Sequence, residues 1–167
     1  MAIPDANIVI TGFMATGKTT IGRRLARRLD RRFVDADEVI VERADMSIAQ
    51  LFATQGEAGF RALEKEVCRD LAAERGLVIA TGGGMLVDAD NLAVMMESGL
   101  VVCLDATPDV IRARLALSTG RPLAGDWETL LEKRRIAYSA IPIHVDTTDK
   151  TPDQTVEDII TLWHASR

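Results

Sequence analysis

A segment near the N-terminus has the residue types and spacing of a phosphate-binding loop. The residues Gly12-Phe-Met-Ala-Thr-Gly-Lys-Thr19 fit the pattern G-x-x-x-x-G-K-[ST], following the apolar run Ile8–Ile10 and opening a helical pattern near Lys18. Glycines allow the backbone to curl so that several N–H groups point at one phosphate, and the helix dipole adds a favourable field. Lys18 can reach the β- and γ-phosphates, and the Thr19 hydroxyl can ligate Mg²⁺. The segment therefore predicts that the chain binds a nucleoside triphosphate.

Two carboxylates, Asp35 and Asp37, follow the second apolar run of the chain, in Phe33-Val-Asp-Ala-Asp37. Ligands of open α/β sheets bind at the carboxyl ends of the strands, so both residues lie where a bound molecule is expected. A carboxylate such as Asp37 suits proton acceptance from a hydroxyl group. Each residue has an alternative interpretation, Asp35 as the N-cap of the next helix and Asp37 as a cap or a surface carboxylate.

Two later segments carry groups that suit binding of a small polar molecule. The segment Gly56–Glu64 places Arg61 and Glu64 three residues apart on one helical face, where they can also form no more than an exposed ion pair. The turn Thr81-Gly-Gly-Gly-Met85 directly follows the third apolar run. Consecutive glycines there expose backbone N–H groups and permit close approach of a substrate.

Arg121 and Arg134 complete the candidate residues, because phosphoryl transfer needs cations around developing negative charge. Arg121 lies in segment 118–126, whose two glycines and proline predict a mobile loop. Arg134 lies four residues before Tyr138, and its neighbour Arg135 is an alternative for the same role.

Short apolar runs that alternate with longer amphipathic stretches must position these residues. Such alternation predicts right-handed βαβ units and a mostly parallel sheet covered by helices. The predicted strands are Asn7–Thr11, Arg32–Asp35, Leu77–Thr81, Leu100–Leu104 and Ile141–Val145. The predicted helices are Lys18–Leu29, Asp37–Arg43, Ser47–Thr54, Glu57–Arg75, Asp88–Glu97, Thr107–Leu117, Trp127–Ala137 and Pro152–Trp163. Pro142 cannot donate to a sheet ladder, which predicts that the last strand lies at an edge.

Length and composition bound the fold and its partners. At 167 residues, with 47% hydrophobic and 27% charged residues, the chain is predicted to form one globular domain over residues 1–167. A net charge of −5 argues against a general nucleic-acid binder, and no signal peptide or membrane span is recognisable. Cys68 and Cys103 are predicted to be buried free thiols, which suits a reducing cytoplasm. His144 and His164 are assigned no role.

Taken together, these segments resemble the shikimate kinase family. GFMATGKT, DAD, GEAGFRALE, TGGG and RPL stand in the family's order, and the likeness runs from about Asn7 to Trp163. The GExxFRxxE and GGG blocks distinguish the family from gluconate and nucleoside monophosphate kinases, which share the phosphate loop. The resemblance implies a monomeric three-layer α/β/α P-loop kinase domain. Its five-stranded parallel sheet would have the order 2-3-1-4-5 with Asn7–Thr11 central, and a short lid would span about residues 118–126.

The resemblance also implies an activity. The chain is expected to transfer the γ-phosphoryl group of ATP to the 3-hydroxyl of shikimate, giving shikimate 3-phosphate and ADP in aromatic amino-acid biosynthesis. One Mg²⁺ ion would accompany ATP, and no nucleic acid or membrane would be a partner. Two alternatives are a related kinase for another hydroxylated carboxylate, such as gluconate, and a non-catalytic ligand-binding module. The acceptor blocks argue against the first, and retention of Lys18, Asp37 and the arginines argues against the second.

By position in the family's motifs, the resemblance assigns the acceptor site. Asp37 would hydrogen-bond the acceptor hydroxyl and act as a base or orienting group, while Arg61 and Arg134 would grip the substrate carboxylate. Glu64 would orient Arg61. Gly83 would bind a substrate hydroxyl through its backbone. The rest of the pocket would be formed by Gly82, Gly84, Phe52 and Phe60.

The resemblance assigns the nucleotide and metal sites in the same way. Lys18, Asp37, Arg121 and Arg134 would be the catalytic residues, and Thr19 with Asp35 would hold Mg²⁺, Asp35 through water. The nucleotide would contact Gly12, Ala15, Thr16, Gly17, Lys18, Thr19, Thr20, Arg114, Arg121 and Pro152. Within this set, Arg114 would lie on the adenine base, although on an amphipathic helix it has the alternative of a solvated surface residue.

The sequence departs from the family's pattern at two places. Ala15 stands where the family usually has another glycine, and we expect this to change the loop geometry only slightly. The stretch from Arg121 to Arg134 is several residues shorter than the family usually shows, and the missing residues belong to the lid. Because lid closure excludes water and completes the cationic site, the shortening bears on the reach of Arg121 and leaves the acceptor pocket untouched.

Overall fold

The computed structural model describes residues 5–117 and 126–166, which form five strands and seven α-helices in those ranges. The strands are β1 (Asn7–Gly12), β2 (Arg32–Asp35), β3 (Leu77–Ala80), β4 (Gly99–Asp105) and β5 (His144–Asp146). The helices are α1 (Lys18–Arg28), α2 (Ala36–Ala44), α3 (Ile48–Ala73), α4 (Ala89–Ser98), α5 (Pro108–Leu117), α6 (Trp127–Tyr138) and α7 (Pro152–Ala165). A short 3-10 helix, Met85–Val87, precedes α4 and had no counterpart in the sequence prediction.

The strands form one parallel sheet in the order β2-β3-β1-β4-β5, which confirms the predicted order. In the register of the central strand, Ile10 pairs with Ala80 of β3 and Val102 of β4. All residues of β1 are buried, as expected for a strand covered on both faces. The carboxyl ends of all five strands therefore meet at one edge of the sheet, and that edge is where the candidate residues lie.

Alternate residues of the central strands point into two separate apolar clusters, one on each face of the sheet. Val9 and Ile79 belong to the cluster beneath α2, α3, α4 and α6, whereas Ile8 and Ile10 belong to the cluster beneath α1 and α7. This division confirms the three-layer arrangement. Cys68 lies in the first cluster.

The two cysteines, Cys68 and Cys103, are free and fully buried, as predicted. Burial raises the pKa of each thiol to about 12. Both therefore remain protonated and serve as small apolar residues of the core.

The last strand is shorter than predicted and begins later. Pairing with β4 starts at His144, whereas residues 141–143 belong to the turn that follows α6. Pro142 has no N–H to donate, and the Ile141 N–H donates to the carbonyl oxygen of Tyr138 at 2.9 Å. The predicted strand Ile141–Val145 is thus wrong in its first half. Its predicted place at a sheet edge is confirmed.

The two helices predicted over Ser47–Thr54 and Glu57–Arg75 lie end to end in α3. They are separated only by a kink at Gly56, whose φ of 70° and ψ of −179° are not helical. Ser47 caps the first half through a reciprocal hydrogen-bond pair with Gln50. The kink lies about one helical turn before Arg61, which belongs to the second half of α3.

No helix in the described ranges combines the length and the apolar character that crossing a bilayer would need.

Candidate active site

The phosphate loop connects β1 to α1 and has the backbone geometry that its glycines permit. Gly12 and Gly17 have φ values of 140° and 93°, in the region that side-chain-bearing residues rarely adopt. A Cβ on Gly12 would also lie 2.5 Å from the carbonyl oxygen of Leu104. The Lys18 ammonium donates to the carbonyl oxygens of Gly12 and Phe13 at 2.8 and 2.9 Å. The loop is thus closed around its lysine at the N-terminus of α1, the place where anions bind.

Ala15, the loop residue that departs from the family's pattern, lies in the left-handed region with a φ of 63°. A residue with a Cβ pays about 1–2 kcal/mol to adopt this conformation, whereas glycine does not. The expectation that Ala15 changes the loop geometry only slightly stays a prediction.

The Thr19 hydroxyl lies 3.2 Å from Oδ2 of Asp35, where β2 ends beside the start of α1. The other carboxylate oxygen of Asp35 accepts the Asp37 N–H at 2.9 Å and so caps α2. The capping interpretation of Asp35 is therefore confirmed, and its part in a metal site stays a prediction that the cap does not exclude, because the cap uses the other oxygen. A hydroxyl and a carboxylate oxygen at this distance match the hard oxygen donors that Mg²⁺ prefers, so the residues fit the metal.

A cleft of about 220 Å³ lies between the phosphate loop, α5 and the start of α7. Its walls bring together most of the predicted nucleotide contacts: Ala15, Thr16, Gly17, Thr20, Arg114 and Pro152. The Arg114 guanidinium donates to the carbonyl oxygen of Ala15 at 3.1 Å and to that of Thr147 at 3.0 Å. Arg114 is therefore tied to the cleft and is not a solvated surface residue.

The glycine turn after β3 meets the three acceptor-site side chains. None of its glycines has a positive φ, so backbone conformation does not explain them. The lack of space around them explains them, because a Cβ at each position would lie within 3 Å of a different candidate residue. The contacts would be 2.6 Å to Asp37 Oδ1 from Gly82, 2.7 Å to Arg134 Nη1 from Gly83, and 2.9 Å to Arg61 Nη1 from Gly84. The turn is thus the point at which side chains from α2, α3 and α6 converge.

Arg61 and Glu64 form an ion pair in which Glu64 is buried and Arg61 is partly exposed. Arg61 Nη1 lies 2.6 Å from Glu64 Oε1, and the Glu64 side chain is only 2% exposed, against 38% for Arg61. Desolvation by burial raises the pKa of Glu64 even though the Arg61 guanidinium opposes the shift. The alternative of an exposed ion pair is wrong. Glu64 holds Arg61 in place, as the resemblance implied.

Arg134 projects from α6 toward the glycine turn, with its guanidinium 5.6 Å from the ring centroid of Phe13. One turn later, the buried Tyr138 hydroxyl donates to the carbonyl oxygen of Gly83. Burial raises the pKa of Tyr138, so the phenol remains a donor at neutral pH. Arg135, the alternative to Arg134, points elsewhere and pairs with Glu132 at 3.4 Å.

A cleft of about 400 Å³ separates α3 from α6 above the glycine turn. It is lined by Glu57, Arg61, Gly84, Val87, Asp88, Leu130, Lys133 and Arg134. The predicted wall residues Phe52 and Phe60 are absent from this lining. Their rings contact each other in a tilted arrangement with 4.7 Å between centroids, and the centroid of the Phe60 ring lies 5.1 Å from the Arg61 guanidinium. They support Arg61, and their contact with a substrate stays a prediction.

Two further candidate residues were missed by the sequence analysis. Lys133 lines the acceptor cleft beside Arg134, and a basic residue next to the chosen arginine was the signal that could have marked it. Thr147 accepts hydrogen bonds from the Arg114 guanidinium at both its hydroxyl oxygen and its carbonyl oxygen. It lies 33 residues away from Arg114, and no local pattern points to it. Arg121 and positions 118–125 of the predicted lid lie outside the described residues.

The chain is similar to known proteins over nearly its whole length. Residues 14–163 match the family model described as shikimate kinase. The shikimate kinase of Geobacter sulfurreducens is 43% identical over 170 residues, which cover 97% of this chain and 94% of the relative. The crystal structure of shikimate kinase from Aquifex aeolicus has a TM-score of 0.82 at 37% identity, covering 96% of this chain and 97% of that one. The structure from Acinetobacter baumannii, in complex with shikimate, has a TM-score of 0.88 at 31% identity and covers 98% and 96% of the two chains.

Proposed function

The chain belongs to the shikimate kinase family, and from that premise we propose that it transfers the γ-phosphoryl group of ATP to the 3-hydroxyl of shikimate. The products are shikimate 3-phosphate and ADP, in the pathway to the aromatic amino acids. The observation that carries this proposal is the convergence of Asp37, Arg61 and Arg134 on one glycine turn. Two arginines and one carboxylate match a substrate that presents a carboxylate and a hydroxyl group.

The acceptor binds with its carboxylate between Arg61 and Arg134. Each guanidinium can form charge-assisted hydrogen bonds, which contribute about 1.5–3 kcal/mol apiece. Glu64 and the Phe60 ring keep Arg61 from rotating away, and the Phe13 ring does the same for Arg134. With the carboxylate fixed, a ring hydroxyl lies toward Asp37, which accepts its proton or orients it for attack.

The nucleotide binds along the loop between β1 and α1. Lys18 exchanges its two carbonyl acceptors for β- and γ-phosphate oxygens. The Thr19 hydroxyl and Asp35 would hold Mg²⁺, Asp35 through water. The ion, when bound, neutralises charge on those phosphates. Arg114 and Pro152 enclose the adenine in the cleft that Ala15, Thr16, Gly17 and Thr20 complete.

Arg121 supplies a further cation to the transferring phosphoryl group in this proposal, as the family pattern implies. The site draws on residues from β1 to α7 of one chain, which supports a monomer and one domain over residues 1–167. The two buried free thiols support a reducing, cytoplasmic location.

A coupled assay of ADP release with Mg-ATP tests the proposal, comparing shikimate, gluconate and no acceptor. We expect ADP release only with shikimate. ADP release with gluconate, or equal release without an acceptor, would overturn the assignment of substrate.

A variant of the proposed base tests the role of Asp37. Asp37→Asn removes the charge that accepts the proton, so kcat should fall by roughly 10²- to 10⁴-fold while ATP binding is retained. Asp45→Asn, at the exposed C-terminal cap of the same helix, is the matched control and should turn over normally. Normal turnover by Asp37→Asn would refute its role in the reaction.

A further inference from the structure

His144, at the start of the edge strand β5, has hydrogen-bond acceptors at both ring nitrogens. Its Nδ1 lies 2.8 Å from Oδ2 of Asp105. Its Nε2 lies 2.9 Å from the carbonyl oxygen of Ile141 and 3.1 Å from that of Tyr138. Carbonyl oxygens only accept hydrogen bonds, so Nε2 is the ring nitrogen that donates to the end of α6, while Nδ1 faces the Asp105 carboxylate.

The carbonyls that His144 meets belong to the end of α6 and the turn after it. Carbonyl groups at the end of a helix have no partner within the helix, and a positive charge there is also favoured by the helix dipole. The N-terminal half of α6 is attached through Trp127, which meets the Phe13 ring, and through Glu128, which pairs with Arg112. His144 contacts the opposite, C-terminal end of the helix that carries Arg134.

Charged and titratable groups from two elements surround the imidazole. From β4, Asp105 supplies a negative charge, and the Cys103 sulfur lies within 4.8 Å of the imidazole and Asp105. From α6, the Tyr138 hydroxyl donates to the carbonyl oxygen of Gly83, and Arg135, which lines one cavity with His144, pairs with Glu132.

Asp105 also connects the nucleotide cleft with the helix that carries Arg134. The backbone carbonyl oxygen of Asp105 accepts both the N–H of Thr147, at 2.8 Å, and its hydroxyl, at 2.9 Å. Thr147 in turn holds Arg114 of the nucleotide cleft. The side chain of Asp105 reaches α6 through His144. The end of β4 is thus a shared anchor for Arg114 and for the acceptor-binding helix.

We propose that His144, placed between Asp105 and the carbonyl oxygens at the end of α6, is a positioning residue that fixes this helix end and so places Arg134 and Tyr138 for acceptor binding. The inference rests on the proposed function, because it assigns the acceptor to the cleft beside Arg134. His144 touches no substrate in this scheme. It acts through the helix end alone.

Kinetics of His144→Gln test the positioning role, because glutamine lacks the two ring nitrogens that lie between Asp105 and the end of α6. The KM for shikimate should rise by roughly 2- to 30-fold, the range typical of coupling through a shared element, while the KM for ATP stays within about twofold of the wild-type value. His164→Gln, which changes the exposed histidine of α7, is the matched control and should leave both constants unchanged. An unchanged shikimate KM in a folded His144→Gln variant would overturn the proposal.

Nitrogen-15 NMR of the histidine side chains tests the hydrogen bond to α6 without any activity assay. The Nε2 of His144 should carry a hydrogen-bonded proton, with its signals assigned by their loss in His144→Gln and the exposed His164 as the internal reference. A His144 whose Nε2 carries no proton would overturn the proposal. If the wild-type protein failed to phosphorylate shikimate, the proposed function would fall, while the NMR result would still decide whether His144 donates to the end of α6.

Discussion

Replacing Gly83 with alanine tests whether the glycine turn sets the position of Arg134. The added Cβ would lie 2.7 Å from Arg134 Nη1, whereas an ordinary contact begins at 3.4 Å. The guanidinium must therefore move by roughly 0.7 Å. Gly83 does not have a positive φ, so the backbone accepts alanine without strain and the fold should persist.

The size of the effect follows from the interaction that the movement disturbs. If Arg134 loses one charge-assisted hydrogen bond to the acceptor carboxylate, the loss is about 1.5–3 kcal/mol. At about 1.4 kcal/mol per factor of ten, the KM for shikimate should rise roughly 10- to 150-fold. The KM for ATP should be almost unchanged, because the nucleotide cleft does not include Gly83.

Initial rates at saturating ATP and varied shikimate measure this effect. Gly82→Ala provides a contrast, since its Cβ would meet Asp37 at 2.6 Å and should mainly lower kcat. A double-mutant cycle then isolates the cause, because Gly83→Ala should add little in an Arg134→Ala background. The reasoning would be refuted if Gly83→Ala raised the shikimate KM just as much in the Arg134→Ala background. It would also be refuted if Gly83→Ala alone left the shikimate KM within twofold of the wild-type value.

Three other predictions concern stability and reactivity. Because burial raises the pKa of Glu64, the folded protein holds this proton more tightly than the unfolded chain, and stability declines as pH rises above the ordinary glutamate range. Glu64→Gln should remove that decline from a plot of unfolding free energy against pH. It should also weaken shikimate binding, because Arg61 loses its anionic partner. A decline that persists in the variant would contradict the raised pKa of Glu64. Ala15→Gly should raise the melting temperature by about 2–4 °C, because it relieves roughly 1 kcal/mol of left-handed strain; a lower value would mean that the methyl group's packing matters more. Cys68 and Cys103 should react with a thiol reagent only on unfolding, since both are buried with pKa values near 12, and rapid labelling of the native protein would refute their burial.

The sequence alone was sufficient for the features that depend on neighbours along the chain. The phosphate loop is one contiguous segment, so the spacing of Gly12, Gly17 and Lys18 determines its geometry. The alternation of apolar runs and amphipathic stretches determined the layered α/β fold, because burial on both faces needs that pattern. The order of the strands came from the family resemblance and is confirmed.

Only the tertiary structure decided how the acceptor site is assembled. Gly83 and Arg134 lie about 50 residues apart and meet because β3 and α6 end at the same edge of the sheet. The sequence marked the glycines as a place for close approach, yet the structure shows that they make room for side chains from three helices. His144 had no local pattern to mark it, and its partner Asp105 is 39 residues away. Such contacts depend on where packed elements end relative to one another, and no periodicity along the chain encodes that distance.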